Sequence, residues 1–181
     1  TYGVRCNMPS IANYVNFYDC MLIEDLAEAH SVKPHPSTNA ACYSFYKNKI
    51  VAGEEGGAVW FRNNDHAKLA RQLRSLGFTD DHDFVHIPRG HNYRMSNAHA
   101  SLILDSLKRV DLSLENRWLQ WHTYHEMCPQ DWRMQRPDAP WVYAMRIPGM
   151  SGKQQDNVVR ELKRHGIEGR HCFKPSHTQE E

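Results

Sequence analysis

The chain has 181 residues and sets 22 Lys and Arg against 21 Asp and Glu, a formal net charge of +1. That balance removes the broad electrostatic case for nucleic acid or an anionic membrane as partner. No apolar run approaches the length of a membrane span, and 40% hydrophobic with 24% charged residues is ordinary for a globular protein with one sizeable core or two small ones.

In chain order, residues 10–18 read as a short helix capped by Ser10. Residues 20–23 are a short apolar run ending in Glu24 and Asp25, the pattern of a buried parallel strand. Pro34, Pro36, Ser37 and Asn39 make residues 31–40 a loop, and strands follow at 41–46 and 57–62, the latter supported by Trp60 and Phe61. Residues 65–76 have a helical stripe of Ala70, Leu73 and Leu76 that Gly77 ends. Residues 78–95 form a polar loop, and Ser96 caps a helix striped by Leu102, Ile103, Leu107 and Val110. A longer helix runs through Leu114, Trp118, Trp121 and Met127 to Pro129. Pro137 and Pro140 mark a linker. A strand at 141–147, a helix at 153–165 closed by Gly166 and a strand at 170–173 then suggest a smaller domain. The expected division is 1–112 and 113–181.

Cys6, Cys20, Cys42, Cys128 and Cys172 are odd in number and lack a C-x-x-C pair, so they read as free thiols of a reducing, cytoplasmic compartment. Thr1 to Cys6 is not expected to act as a signal peptide. His122 with His125 and His82 with His86 have spacings that could clamp a metal, but neither pair has an obvious third ligand, and no metal is expected.

The chemistry concentrates between Ile23 and Gly57. An acid stands at a strand end, a second strand carries Ser44, and Lys49 and Glu55-Gly56-Gly57 follow. These are the parts needed to hold pyridoxal 5'-phosphate (PLP) as a Schiff base: a lysine amine as covalent handle and a carboxylate to keep the ring nitrogen protonated. Lys47 and Lys49 could face the same way, so spacing alone does not choose between them.

Tyr2-Gly3, the run from Ile23 to His30, the run from Ser44 to Lys49, Glu55-Gly56-Gly57, Arg74 to Gly77, Gly90 to Ser96, Gly166-Ile167 through Arg170, and Pro175-Ser176-His177 occur in one order along the chain. As an ordered set this resembles the DegT/DnrJ/EryC1/StrS family of nucleotide-sugar aminotransferases. The resemblance implies an α/β fold of fold-type-I PLP architecture: a partial large-domain parallel sheet with helices, and part of a small α+β C-terminal domain. Family chains are about twice as long, so it also implies a partial or truncated chain, not expected to be a stable monomer alone.

By the same resemblance, Lys49 is the cofactor-linked lysine and later moves protons, and Asp25 pairs with the pyridinium nitrogen. Glu28 faces the phenolic oxygen, as in perosamine-synthase-like members, and Ser44 bonds the phosphate. Asn92 reaches the cofactor of a neighbouring subunit, which makes a homodimer with shared active sites. Arg170 and His177 approach the nucleotide sugar. Arg94, read from its own chemistry, is expected either to pair with an acid or to anchor its loop. Glu54 stands where the family usually has Gly, and Ser31-Val32 replaces its common Gly-Ala. The implied activity is amino transfer, with glutamate as donor, to a nucleotide-linked 4-keto-6-deoxy sugar. The alternatives are an inactive interaction domain that needs a partner chain, and a same-fold PLP enzyme acting on another keto sugar or a cyclitol. Asp25 and Lys49 are expected on adjacent parallel strands, near their carboxyl ends.

Overall fold

The structure is a computed structural model that describes residues 1–79, 84–174 and 176–179. His82 and Pro175, which figured in the sequence patterns, lie outside the described residues. The chain divides into two units, one of Thr1–His122 with Arg136–Tyr143, the other of Thr123–Gln135 with Ala144–Glu181. The first unit therefore runs past residue 112 and regains the proline-bearing segment read as a linker.

The first unit is built on a three-stranded sheet of β1 (Ile23–Asp25), β2 (Ala40–Ser44) and β3 (Gly57–Phe61), in that order. β1 and β2 are parallel, with Asp25 opposite Cys42, whereas β2 and β3 are antiparallel, with Ser44 opposite Gly57. The sheet is mixed, which corrects the parallel sheet expected. The cause is the connection after β2: Phe45 N–H donates to the Gly56 carbonyl and Gly53 N–H to the Phe45 carbonyl. The chain thus doubles back as a long hairpin, whereas a parallel partner would need a crossover to return to the same end of the sheet.

Side chains alternate across the sheet, so Asp25, Cys42 and Ser44 share one face with Ile23 and Val59. Glu24, Ala41 and Tyr43 share the other, where Ala41 packs with buried Leu26, Ala29 and Ala139, and Val32 and Tyr43 lie against them. The face carrying Asp25 is open: Ile23 is 63% exposed and Val59 51%.

The helices follow their caps. α1 (Met8–Phe17) starts at Asn7, whose side chain accepts from Ser10 N–H, with Pro9 in the first turn. Ser10, expected as the cap, is therefore inside the helix, because Pro9 suits a first turn that needs no N–H from it. Asn63 caps α2 (Asn64–Arg74), and Ser96 caps α3 (Asn97–Lys108) as expected. α4 (Val110–Met127) reaches the anticipated stop. In the second unit, Ser151 and Gln154 form a reciprocal capping box on α5 (Gly152–Arg164).

The two strands expected at 141–147 and 170–173 do not form. Among the described residues the tail has a single bridge, Arg133 to Met145. Strand propensity describes fit to a pleated surface, and an apolar run without a ladder has no such surface to fit.

Candidate functional site

Lys49 sits at the tip of the β2–β3 hairpin, in a turn where its N–H donates to the Tyr46 carbonyl. It is not on a strand; β2 ends at Ser44, and this corrects the expected placement on a strand adjacent to Asp25. The turn is nevertheless anchored. Ile50 is 4% exposed and Val51 2%, so the residues after Lys49 are core. Ala52 N–H donates to Ser106 Oγ at 3.0 Å, which ties the hairpin to α3. Gly53 is needed for that approach, because a Cβ there would lie 2.2 Å from Ile103 Cγ1 and 3.0 Å from the His99 carbonyl oxygen.

Asp25 ends β1 with an exposed side chain, and Oδ1 accepts from Ala27 N–H at 3.0 Å. Burial, with the charge of Asp25 behind it, pushes the Cys42 thiol above its ordinary range, in keeping with a shared face. Ser44 Oγ accepts from Tyr46 N–H at 3.3 Å. Glu28 is engaged by the N-terminal turn: Oε2 accepts from Tyr2 N–H at 2.5 Å. Asp25 and Glu28 line a cavity of about 340 Å³ beside β1, together with Arg5, Met8, Ile11 and Ile23; Lys49 and Ser44 do not line it.

Asn92 is exposed and bridges in strand fashion to Ser75, so its loop lies along the end of α2. Arg94 anchors that loop, with Nε donating to Asn92 Oδ1 at 3.2 Å. In the second unit Arg170 pairs with Glu168 at 2.5 Å, and His177 is exposed in a short helical turn, Ser176–Thr178. His122 is packed on the rings of Trp118 and Trp121.

Two further residues join the site. His30 closes the acid-bearing run, and its Nε2–H donates to the Ser44 carbonyl at 2.7 Å. Its ring lies among Tyr43 and Phe45, and its Nδ1 is buried with no hydrogen-bond partner among the described residues. Burial, and then the nearby charge of Lys49, hold His30 below its ordinary value against the opposing pull of the Ser44 carbonyl, so the neutral ring is favoured. The run from Ile23 to His30 contains this residue, but only the fold joins it to β2. The other is Trp141, whose ring lies 4.2 Å from Lys49 Nζ. No local signal marks it, because the contact joins segments far apart in the sequence.

Residues 1–181 match the DegT/DnrJ/EryC1/StrS aminotransferase family. The chain belongs to that family. The family is one of PLP-dependent sugar aminotransferases, and the chain has its α/β fold. A GDP-perosamine synthase of Caulobacter vibrioides is 30% identical over 190 residues, covering 97% of this chain and 51% of that protein. A UDP-4-amino-4,6-dideoxy-N-acetyl-beta-L-altrosamine transaminase of Campylobacter jejuni is 32% identical over 124 residues, covering 64% of this chain and 32% of that protein. The Helicobacter pylori aminotransferase PseC superposes with a TM-score of 0.88 at 18% identity, covering 98% of this chain and 52% of its own. The chain spans about half the length of the curated relative that it matches along nearly its whole extent.

Membership in this family gives Glu54 a physical reading. It adopts φ 66°, the left-handed region that costs a residue with a Cβ about 1–2 kcal/mol. Neighbouring substitutions should therefore act in opposite directions. Glu54→Gly is expected to stabilise by up to about 1 kcal/mol, the relief being partly offset by glycine's extra freedom when unfolded. Gly53→Ala is expected to destabilise by about 1–3 kcal/mol through overpacking on Ile103. Thermal melts of the two variants check both signs.

Proposed function

We propose that this chain carries the cofactor-binding part of a PLP-dependent aminotransferase that moves an amino group, with glutamate as donor, to the keto carbon of a nucleotide-linked 4-keto-6-deoxy sugar. The observation that carries the reading is an exposed Asp25 at the carboxyl end of β1, on one sheet face with Ser44, in a chain whose Lys49 turn is held by buried Ile50 and Val51. Family membership and the resemblance of the whole chain to a GDP-perosamine synthase support it.

The residues present fit the cofactor in donor chemistry. PLP supplies an aldehyde carbon and an electron-accepting ring. Lys49 would be the covalent handle and would hold and move the proton at the reacting carbon. The Asp25 carboxylate would hold the ring N–H and keep that nitrogen protonated through a charge-assisted bond. Ser44 would offer its hydroxyl to the phosphate and Glu28 its carboxylate to the phenolic oxygen, while by the family resemblance Asn92 would serve a neighbouring subunit and Arg170 and His177 the nucleotide sugar. His30, kept neutral, braces the Ser44 carbonyl rather than adding a cation beside Lys49.

The assembly we propose is a homodimer with shared sites, in the cytoplasm. The open sheet face with Ile23 and Val59, and exposed Phe17 and Met21, support burial against a further surface. Sedimentation at micromolar concentration tests it; a compact monomer would count against it.

The experiment for the reaction is transfer of nitrogen from ¹⁵N-glutamate to GDP-, dTDP- and UDP-linked 4-keto-6-deoxy sugars by the full-length protein loaded with PLP. Label in one nucleotide aminosugar is expected. Label only in products of another keto sugar or a cyclitol would redirect the substrate assignment, and bound cofactor without transfer to any carbonyl acceptor would sink it.

A further inference from the structure

A single indole touches both members of the Asn48-Lys49 pair. The Trp141 ring lies 4.2 Å from Lys49 Nζ, and its Nε1–H donates to the Asn48 carbonyl at 2.9 Å. The indole is itself fixed. Trp141 is 6% exposed, its carbonyl accepts from Arg117 Nη1 at 3.0 Å, and its N–H donates to the Ala139 carbonyl at 3.0 Å. Ala139 and Asp138 in turn donate their N–H groups to the Gly3 carbonyl. The ring is therefore placed by α4 and the N-terminal turn, independently of the lysine it meets.

An unrestrained lysine amine sweeps a wide volume on its four-carbon stem. An indole face is the best aromatic partner for an ammonium, and a pre-fixed ring adds no ordering cost of its own. Lys47 shows the contrast. Its Nζ is 5.8 Å from the Tyr46 ring, at the edge of useful range, and Tyr46 is 38% exposed.

We propose that Trp141 is the positioning residue for Lys49. Its N–H fixes the Asn48 carbonyl, and its ring face seats the charged amine, so the nitrogen waits in one place beside the site. The significance of the seat rests on Lys49 being the covalent handle, but its existence does not.

Competitive acylation of the cofactor-free protein in its native assembly with limiting acetic anhydride, read by peptide mass analysis, tests the seat. The measured quantity is the Lys49 rate divided by the Lys47 rate in the same molecule. An ammonium–indole contact of ordinary strength favours the seated amine about two- to fivefold, so Trp141→Leu should raise the ratio about three- to sixfold. Trp141→Phe keeps a ring face but loses the N–H, and it should leave the ratio within about twofold of the parent. An unchanged ratio in Trp141→Leu overturns the proposal, as does an equal rise in both variants, which would assign the effect to the Asn48 bond alone. If the leucine variant does not fold, the parent chain decides by NMR. Ring current should carry the Lys49 ε-methylene protons upfield of those of every other lysine, and an ordinary position overturns the seat. Pyridoxyl mapping is separate: seated Lys49 with the label on Lys47 would end the handle reading and leave the seat standing.

Discussion

Lys49→Ala is expected to reduce borohydride-trapped pyridoxyl incorporation to background, while Lys47→Ala retains it. The two lysines are two residues apart, and chemistry alone does not separate them. Their surroundings do. Lys49 precedes two core residues, Ile50 and Val51, and its backbone is held by the Tyr46 carbonyl and by the Asn48 contact to Trp141. A nucleophile held in one place gains from not having to find its target. Lys47 is exposed, and only a weak aromatic contact restrains its amine. The measurement is the mass of the reduced, digested peptide from PLP-loaded protein and from each variant. Incorporation that survives Lys49→Ala and disappears with Lys47→Ala would reverse the assignment. Asp25→Asn should weaken cofactor retention without moving the label, because it removes the charge but keeps the shape of the group we propose for the ring nitrogen.

Much of the first unit was legible because its signals are local. Ser96 precedes an apolar stripe and caps α3, and Gly77 follows the last turn of α2 with φ 72°. The acid, serine and lysine were picked out as a set because residue type and order carry their chemistry; the structure puts Asp25 and Ser44 on one sheet face and Lys49 in the turn beyond β2. What the sequence left open depends on contacts between distant segments. The direction of β3 is set by hydrogen bonds between Phe45, Gly53 and Gly56 rather than by composition. The apolar run beginning at Trp141 has strand propensity, yet Trp141 itself is used in packing on Asn48 and Lys49. Ser10 lost the cap to Asn7 because Pro9 shifts the favourable start of α1 toward the chain's beginning. His30 illustrates the same limit at the site: its neutral state follows from a carbonyl on another strand and from burial, neither of which is written in the run that contains it.

The face of the sheet opposite Asp25 holds the largest stability effect expected from one substitution. Glu24 is 6% exposed. Its Oε2 pairs with Arg5 Nη2 at 3.0 Å, while Oε1 accepts from His35 N–H at 2.6 Å and from the Thr38 hydroxyl. Burial alone would raise this carboxyl, but the bonds from Thr38, His35 and Arg5 together outweigh it and hold the group below the usual carboxylate range. Arg5→Met keeps most of the stem and removes the cation. Loss of one partner from a buried pair costs about 3–5 kcal/mol, and the partial exposure of Arg5, at 28%, places the expected loss nearer 2–3 kcal/mol. The pH dependence follows from linkage. A carboxyl depressed on folding contributes stability above its unfolded value of 4.5 that is lost as pH falls through the lower folded value. His30, also depressed on folding, contributes above 6.5 and loses that contribution as pH falls below it. The parent should therefore weaken first below 6.5 through His30 and again below 4.5 through Glu24. Arg5→Met changes only the second step. Protonated Glu24 no longer needs a cation, so the gap between variant and parent should be widest near neutral pH and shrink in acid. Urea unfolding of both proteins from about pH 7 down to the lowest pH at which the parent still folds reads that gap directly. A loss of equal size throughout that range would mean that Arg5 acts through packing and its bond to the Lys33 carbonyl, and that its charge is not what stabilises Glu24.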